Sequence, residues 1–360
     1  MVKKNVLIVG GYGRVGSVLS ETLAKESEIS MTIAGRDPVK AEELAKKLGS
    51  GCCAIDVTDK SSILSAIEDM DIVINCFAGP FTHFNLFLPE IAAERGLHYL
   101  DVAGSYEYAE RFLKLNDSAH DNHSILITAL GANPGIPGIV FMKFKDTFDE
   151  ISSCEIYFIL GSSLREFSLS SLRELKFMFD VKPLVWDKNQ WIEPRKKSKK
   201  VYFGKPFDKD IYVGAWLTRD MLLLPKLANV CDLSVWSGSQ DSLQGLAMVM
   251  GLKLGLTKRD SSAQLLLNLL KKLGRKGGIS EAFLKLEMNG NAKGVFKKLV
   301  IEMHCDESYA TALAPAIVCK QICEGRITRH GAFLPPEIVP ARDFVDRLSG
   351  YDIHLRTTES

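Results

Sequence analysis

The sequence lacks any CxxC pair and any histidine or cysteine cluster at metal-ligand spacing, which excludes a zinc ribbon or a thioredoxin-like couple and leaves no metal to assign. Its eight cysteines are scattered, apart from adjacent Cys52 and Cys53 and the pair Cys319 and Cys323 one helical turn apart. Without a leader or paired spacing they read as small buried hydrophobes of a reducing compartment. Long apolar runs are missing too: no window approaches the roughly 18 uncharged apolar residues that a membrane-crossing helix needs. The most apolar stretch, 243–256, is short and interrupted by Gln244 and Lys253. Nor is there an excess of one charge. With 45 Lys+Arg against 44 Asp+Glu, the formal net charge is +1, which excludes a broad electrostatic footprint for nucleic acid. One basic run, Arg195 to Lys200, stands between strand patterns with no aromatic platform beside it. A solvated loop is its default reading and an anionic substrate its sharper one. Internal repeats and low-complexity tracts are absent. The opening MVKKNVLIVGG runs straight into a strand pattern rather than a signal peptide, and the closing TTES offers no lipidation box. These absences predict a cytoplasmic protein with neither a membrane nor a nucleic-acid partner.

What is present is the composition of an ordinary globular protein, 46% hydrophobic and 25% charged over 360 residues, enough for two domains. Strand and helix patterns alternate over the first 135 residues: strands at 6–9, 30–34, 53–57, 71–77, 99–103 and 124–130, helices at 14–25, 39–48, 61–67, 84–95 and 109–122. Alternation at this spacing means βαβ units, and the handedness rule then favours a doubly wound parallel sheet. After Pro134 the character changes to alternating segments such as CEIYFIL and KDIYVGAW, then a helical stretch at 243–273 and a hairpin at 283–304. The expected fold class is α/β: a doubly wound Rossmann domain (1–134), an α+β substrate and dimerisation domain (135–309), and C-terminal helices (310–360) packing back on the first. A homodimer is expected.

Gly11-Tyr12-Gly13-Arg14-Val15-Gly16 is a GxGxxG. Alone it is a weak signal, but it follows a buried strand and opens an amphipathic helix. There Gly11 permits the tight turn, Gly13 lets the backbone approach a pyrophosphate, and Gly16 lets helix and strand pack closely. Twenty residues on, where NAD enzymes hold a carboxylate for the ribose 2′-OH, stands Arg36 behind Ala34-Gly35. A small residue followed by a guanidinium suits a 2′-phosphate, so NADP(H) is the expected cofactor and NAD the disfavoured one. Asp37 is the competing group, able to turn toward a 2′-OH. Asp56 and Val57 end the third strand beside the adenine position, and Asn75 to Pro80 end the fourth at the crevice where open α/β sheets bind ligands.

GGYGRVG, AGRDPVKAEELAKKLG, INCFAGPFTHF, HYLDVAG and ALGANPGI, in that order and spacing, resemble the saccharopine dehydrogenase family, and more closely its NADPH-dependent, glutamate-forming branch. FSLSSLREL, LVWDKNQW and LTRDMLLLPKL carry the resemblance more weakly into the second domain. It implies that Phe77, Ala78, Gly79, Pro80, Ala103 and Gly104 line the nicotinamide side. It also implies hydride transfer at a C–N bond, with a substrate bearing a carboxylate and an amine. Arg219, within Thr218-Arg219-Asp220, falls where fungal reductases carry an Asn-Arg-Asp substrate contact and is the expected carboxylate clamp. The chain departs from the saccharopine reductases at Ala103-Gly104, where they have a serine-tyrosine pair, and at Asn133 and Pro137, where they have aspartates. Its DVAG also looks like the DxTGE of trans-acting enoyl reductases, so C=C reduction of a lipid precursor stands as an alternative, as does a non-catalytic nucleotide-binding regulator.

Two further residues are weighed for proton transfer. His83, three residues after Pro80, is a candidate acid at neutral pH, against a plain role as a helix cap or phosphate contact. Asp101, at the end of the fifth strand, is a candidate to orient an amine, against a role in capping the next loop.

Overall fold

The computed structural model describes residues 3–77, 85–161, 169, 172, 176, 181–205, 207, 209–273 and 281–360. The chain forms two units: Met1–Ile139 with Ser308–Leu348, and Val140–Glu307 with Ser349–Ser360.

The first unit is built on β1 (Lys4–Val9), β2 (Ile29–Gly35), β3 (Gly51–Ala54), β4 (Ile72–Asn75), β5 (His98–Asp101) and β6 (Ile125–Ile127). A seventh strand, Gly331–Phe333, arrives from far along the chain and pairs with β6. The order is Gly331–Phe333, β6, β5, β4, β1, β2, β3, all parallel. Val6, Leu7 and Ile8 are fully buried, as a continuous apolar run covered on both faces requires. The order reverses between β1 and β4, which opens a crevice at their carboxyl ends. The doubly wound expectation is therefore borne out. Helix α1 (Arg14–Leu23) follows β1, and α2 (Pro38–Leu48) follows β2 and ends at Gly49 in the left-handed region (φ 66°), as a glycine C-cap does.

Helix Glu307–Cys323 is apolar on every side, and the structure explains why: Leu313, Ala314, Ala316, Ile317 and Val318 are all fully buried in the first unit. Lys320 Nζ reaches Glu26 Oε1 at 2.7 Å, with both side chains mostly buried.

The second unit holds a nine-stranded mixed sheet. Its strands are β7 (Glu150–Leu160), β8 (Val185–Asp187), β9 (Gln190–Ile192), β10 (Ser198–Val201), β11 (Ile211–Ala215), β12 (Val230–Ser239), β13 (Ala282–Ala292), β14 (Val295–Cys305) and a last strand, Leu355–Glu359. The path runs β10, β11, β12, β7, β13, β14, Leu355–Glu359, with β8 pairing both β12 and β9. Only β12 and β7 run parallel; the other pairs are antiparallel. Aromatic side chains fill one end of a sheet face, where Phe203, Phe207 and Phe283 pack with Tyr157 and Trp236.

Several local expectations shift. The basic run does not stay a loop, because residues 198–201 form β10 and pair with β11. Lys199 there sits 4.3 Å above the Trp236 ring and bonds both Glu155 and the Tyr157 hydroxyl, so one charge of the run is spent inside the unit. The third strand stops at Ala54 rather than at residue 57, since Asp56 folds back to accept from Thr58 N and Oγ1 in an Asx turn. The helix expected at 109–122 is two, Tyr106–Phe112 and Asn116–Asp121, joined by a 3₁₀ turn. At the chain's end, residues 308–348 lie with the first unit, whereas Leu355–Glu359 extends the second sheet beside β14. A five-residue exposed tail carries no apolar alternation to announce that strand.

Candidate cofactor-binding site

The site begins where β1 stops. Gly10 takes φ 73°, and a Cβ there would lie 3.4 Å from Phe77 N, so the loop lies against the backbone that leaves β4. A Cβ on Gly11 would meet Ile8 O at 2.9 Å; one on Gly16 would be driven into the carbonyl oxygen of Gly10 and to 2.8 Å from Gly11 Cα. Gly13 differs, since its Cβ would meet only Gly10 O at 3.1 Å, leaving its outer side clear for a ligand. It is also the N-cap of α1, with no side-chain cap and no acidic residue in the first turn. A helix start with no carboxylate and a glycine backbone is a seat for an anion. Arg14 is exposed at that start and Val15 half-buried.

The end of β2 is closed over by Tyr12. A Cβ at Gly35 would strike the Tyr12 ring and come 2.6 Å from its hydroxyl, and that hydroxyl accepts from Asp37 N at 2.9 Å. Tyr12 thus fixes how β2 enters α2. Asp37 is taken up as the N-cap of α2: Oδ1 accepts from Val39 N at 3.2 Å and Lys40 N at 3.3 Å. The Lys40 amide, more than anything else, holds its carboxyl below the usual range. Asp37→Ala is expected to lower stability modestly in a denaturant melt through loss of the helix cap, with no loss of nucleotide affinity.

Arg36 stays exposed, its guanidinium 5.8 Å from the Phe77 ring centroid. Its charge also helps to keep Asp56 ionised, behind the larger effect of the Thr58 amide. Arg36, Phe77 and Asp56, with half-buried Val57, therefore gather at the carboxyl ends of β2, β3 and β4. The cation set there, the capped Asp37 and the glycine loop fit a dinucleotide with a 2′-phosphate.

The crevice floor is a polar network on three neighbouring strand ends. Asn75 Nδ2 donates to the Tyr99 hydroxyl at 3.1 Å, and its Oδ1 accepts from Phe77 N at 3.0 Å. Asp101 is buried; Oδ1 accepts from Ala103 N at 2.9 Å and Thr128 Oγ1 at 2.6 Å, and Oδ2 accepts from the Tyr108 hydroxyl at 2.8 Å. Burial pushes its carboxyl up to about 6 from the usual 3.8, against the pull of those donors. The sign follows: between about pH 4 and 6 the unfolded chain ionises first, so stability falls as pH rises through that window. The penalty above the window is about 3 kcal/mol at 1.36 kcal/mol per unit. Asp101→Asn keeps the Oδ1 contacts and offers an N–H to the Tyr108 oxygen. Thermal melts from pH 4 to 7.5 should show that variant losing the wild type's downward slope.

The structure brings Gly11, Tyr12, Gly13, Arg14, Val15, Gly16, Arg36, Asp56, Val57, Phe77, Asp101, Ala103 and Gly104 into the first unit, with Asp101, Ala103 and Gly104 buried. His83, Ala78, Gly79 and Pro80 lie outside the described residues. Arg219 belongs to the second unit, on the turn between β11 and a short 3₁₀ helix, Met221–Leu223. Its neighbours Thr218 and Asp220 are buried and bonded to each other at 2.6 Å. Among the described residues no three of His, Cys, Asp or Glu gather as a metal site, and no helix is long and apolar enough to cross a membrane. Sequence reasoning placed Asn75 at the crevice but missed Gly10, which bears the left-handed turn ahead of the motif, and the partners Tyr99, Tyr108 and Thr128. A signal was there: β4 and β5 end in Asn75 and Asp101, and Thr128 directly follows β6.

Comparison with known proteins agrees with this geometry. Residues 6–127 match the family described as Saccharopine dehydrogenase NADP binding domain. Over 148 residues the chain is 30% identical to the saccharopine dehydrogenase (NADP+, L-glutamate-forming) of Saccharomyces cerevisiae, an alignment covering 41% of this chain and 31% of the yeast protein. The apo structure of saccharopine dehydrogenase (L-Glu forming) from Saccharomyces cerevisiae superposes with a TM-score of 0.74 at 16% identity, over 99% of this chain and all of that one. A C. glutamicum DAP dehydrogenase in complex with DAP reaches 0.50 at 14% identity, over 98% of this chain and 100% of the other. At such identities the two superpositions speak to fold. The resemblance to the saccharopine dehydrogenase family is borne out, and with it the NADP(H) cofactor.

Proposed function

We propose that this chain is an NADP(H)-dependent oxidoreductase acting at the C–N bond of an amino-acid or opine-like substrate. The observation that carries the reading is the end of β2: Arg36 stands exposed beside Phe77 while Asp37, the one acid that competes for a ribose hydroxyl, is tied to the start of α2. The glycine loop and the uncapped start of α1 hold the pyrophosphate, Arg36 the 2′-phosphate, and Asp56 and Val57 flank the adenine. Bound there, NADPH would supply a hydride to a carbon double-bonded to nitrogen, and in the reverse direction NADP+ would take one up.

The chain's own residues do the rest. Asp101 shapes the turn into Ala103 and Gly104 through the Ala103 amide, and Asn75 does the same for Phe77. Both residues therefore set backbone that lines the nicotinamide side, without touching the reacting atoms. Arg219 is the proposed clamp for a substrate carboxylate, where a guanidinium makes paired charge-assisted bonds. His83 is the proposed proton donor to the product nitrogen.

The test is a titration of the protein with NADPH and NADH, followed by a screen of 2-oxo acids against primary amines for oxidation of NADPH. Tight NADPH binding with turnover on an amine and oxo-acid pair is the expected result. Tight binding with turnover only on an α,β-unsaturated substrate overturns the C–N assignment and leaves the cofactor assignment standing.

A further inference from the structure

The second unit carries an apolar surface that no part of this reading uses. Helices Ser242–Lys253 and Asp260–Leu273 run antiparallel as a hairpin: Gln244 Nε2 donates to Leu270 O at 2.9 Å, and a Cβ on Gly251 would come within 2.5 Å of Leu266. Met248, Leu252, Leu266, Leu267 and Leu270 are buried on the inner side. The outer side is not polar, as it is on an ordinary surface helix. Leu243, Leu246, Met250 and Leu254, spaced by three and four, form one exposed stripe on the first helix, with Leu243 73% and Leu254 71% exposed. On the second helix Leu265 and Leu269 repeat the pattern, Leu265 at 70% exposure. A contiguous apolar patch of this kind marks an interaction surface.

Charge decides what it meets. Residues 242–273 hold five basic side chains, Lys253, Lys258, Arg259, Lys271 and Lys272, and a single acid, Asp260. All five are exposed. The antiparallel register puts Lys253, Lys258 and Arg259 at the turn end of the hairpin and Lys271 and Lys272 at the other. A second copy related by a two-fold axis sets basic ends against basic ends in either orientation, which disfavours self-pairing. An apolar stripe bounded at both ends by lysine and arginine is the surface that lies flat on an anionic lipid bilayer, its leucines in the acyl boundary and its cations among the headgroups.

We infer that the hairpin 242–273 docks this protein peripherally on anionic membrane surfaces, lying in the interface without crossing it.

The experiment is flotation of the full-length protein with vesicles of phosphatidylcholine and phosphatidylglycerol (1:1), against pure phosphatidylcholine, at low and high salt. Binding at least about tenfold stronger to the anionic vesicles, weakened by salt, is expected. Lys253→Gln/Lys258→Gln/Arg259→Gln and, separately, Leu246→Ser/Leu265→Ser should each lose about tenfold or more, with NADPH affinity unchanged as the check on folding. Equal binding to both vesicle types overturns the inference. So does a dimer in gel filtration that Leu246→Ser/Leu265→Ser splits, since a second copy then covers the stripe.

Discussion

Gly16→Ala is expected to lose about 100-fold in NADPH affinity, or about 2.7 kcal/mol, from the addition of one methyl group. The reason is what the new Cβ meets. Its neighbours are the Gly10 carbonyl and Gly11 Cα, which are backbone, so no side chain can swing aside. The start of α1 must instead move away from the loop, taking with it the amides proposed to hold the pyrophosphate. Overpacking of this kind also lowers stability by about 1–3 kcal/mol, which a denaturant melt of the free protein reads separately. Fluorescence titration gives the affinity. If NADPH binds the variant within threefold of wild type, the pyrophosphate does not lie on this loop.

Arg36→Ala should weaken NADPH by about 50-fold, as loss of charge-assisted bonds worth about 1.5–3 kcal/mol predicts, and leave NADH unchanged. The selectivity of the effect matters more than its size. Arg36 is exposed, with its guanidinium 5.8 Å from the Phe77 ring centroid, so its removal opens no buried cavity and both cofactors share the remaining contacts. Competitive titration of the two dinucleotides measures the ratio directly. Equal weakening of both would mean that Arg36 acts on the adenine or the loop, with the 2′-phosphate held elsewhere. Asp37→Ala is the matched control: it removes a helix cap beside the same site and should leave the ratio where it was.

Much of this site is legible in the sequence because the first half of the chain obeys local rules. A buried strand, a glycine turn and an amphipathic helix occupy consecutive residues 4–23, so one stretch of chain displays the whole phosphate seat. Arg36 is legible for the same reason, being counted from the glycines along one βαβ unit. What could not be read is what distance along the chain conceals. That Asp37 is spent on α2 depends on a side-chain rotation. That Asp101 is satisfied by Tyr108 and Thr128 depends on β5 and β6 lying side by side. The edge strand Gly331–Phe333, three residues long and about 200 residues from β6, has no periodicity to find. Leucine and methionine in 243–256 suggested only an apolar helix; which of them face outward is decided by the second helix packing at Gly251 and Gln244.

The first unit is stitched from two separated pieces of chain, 1–139 and 308–348, and this governs the order in which the protein can mature on the ribosome. When residue 139 emerges, β6 still lacks its outer neighbour, and the buried helix Glu307–Cys323 has not been made. The nucleotide-binding half therefore begins first and is completed only after residues 140–307 of the second unit have been synthesised. Its nascent form carries an unpaired strand edge and uncovered apolar side chains through that interval, the condition in which chaperones find their clients. For the same reason a stop after residue 139 releases an unfinished sheet, so the cofactor site cannot be obtained by cutting the chain there.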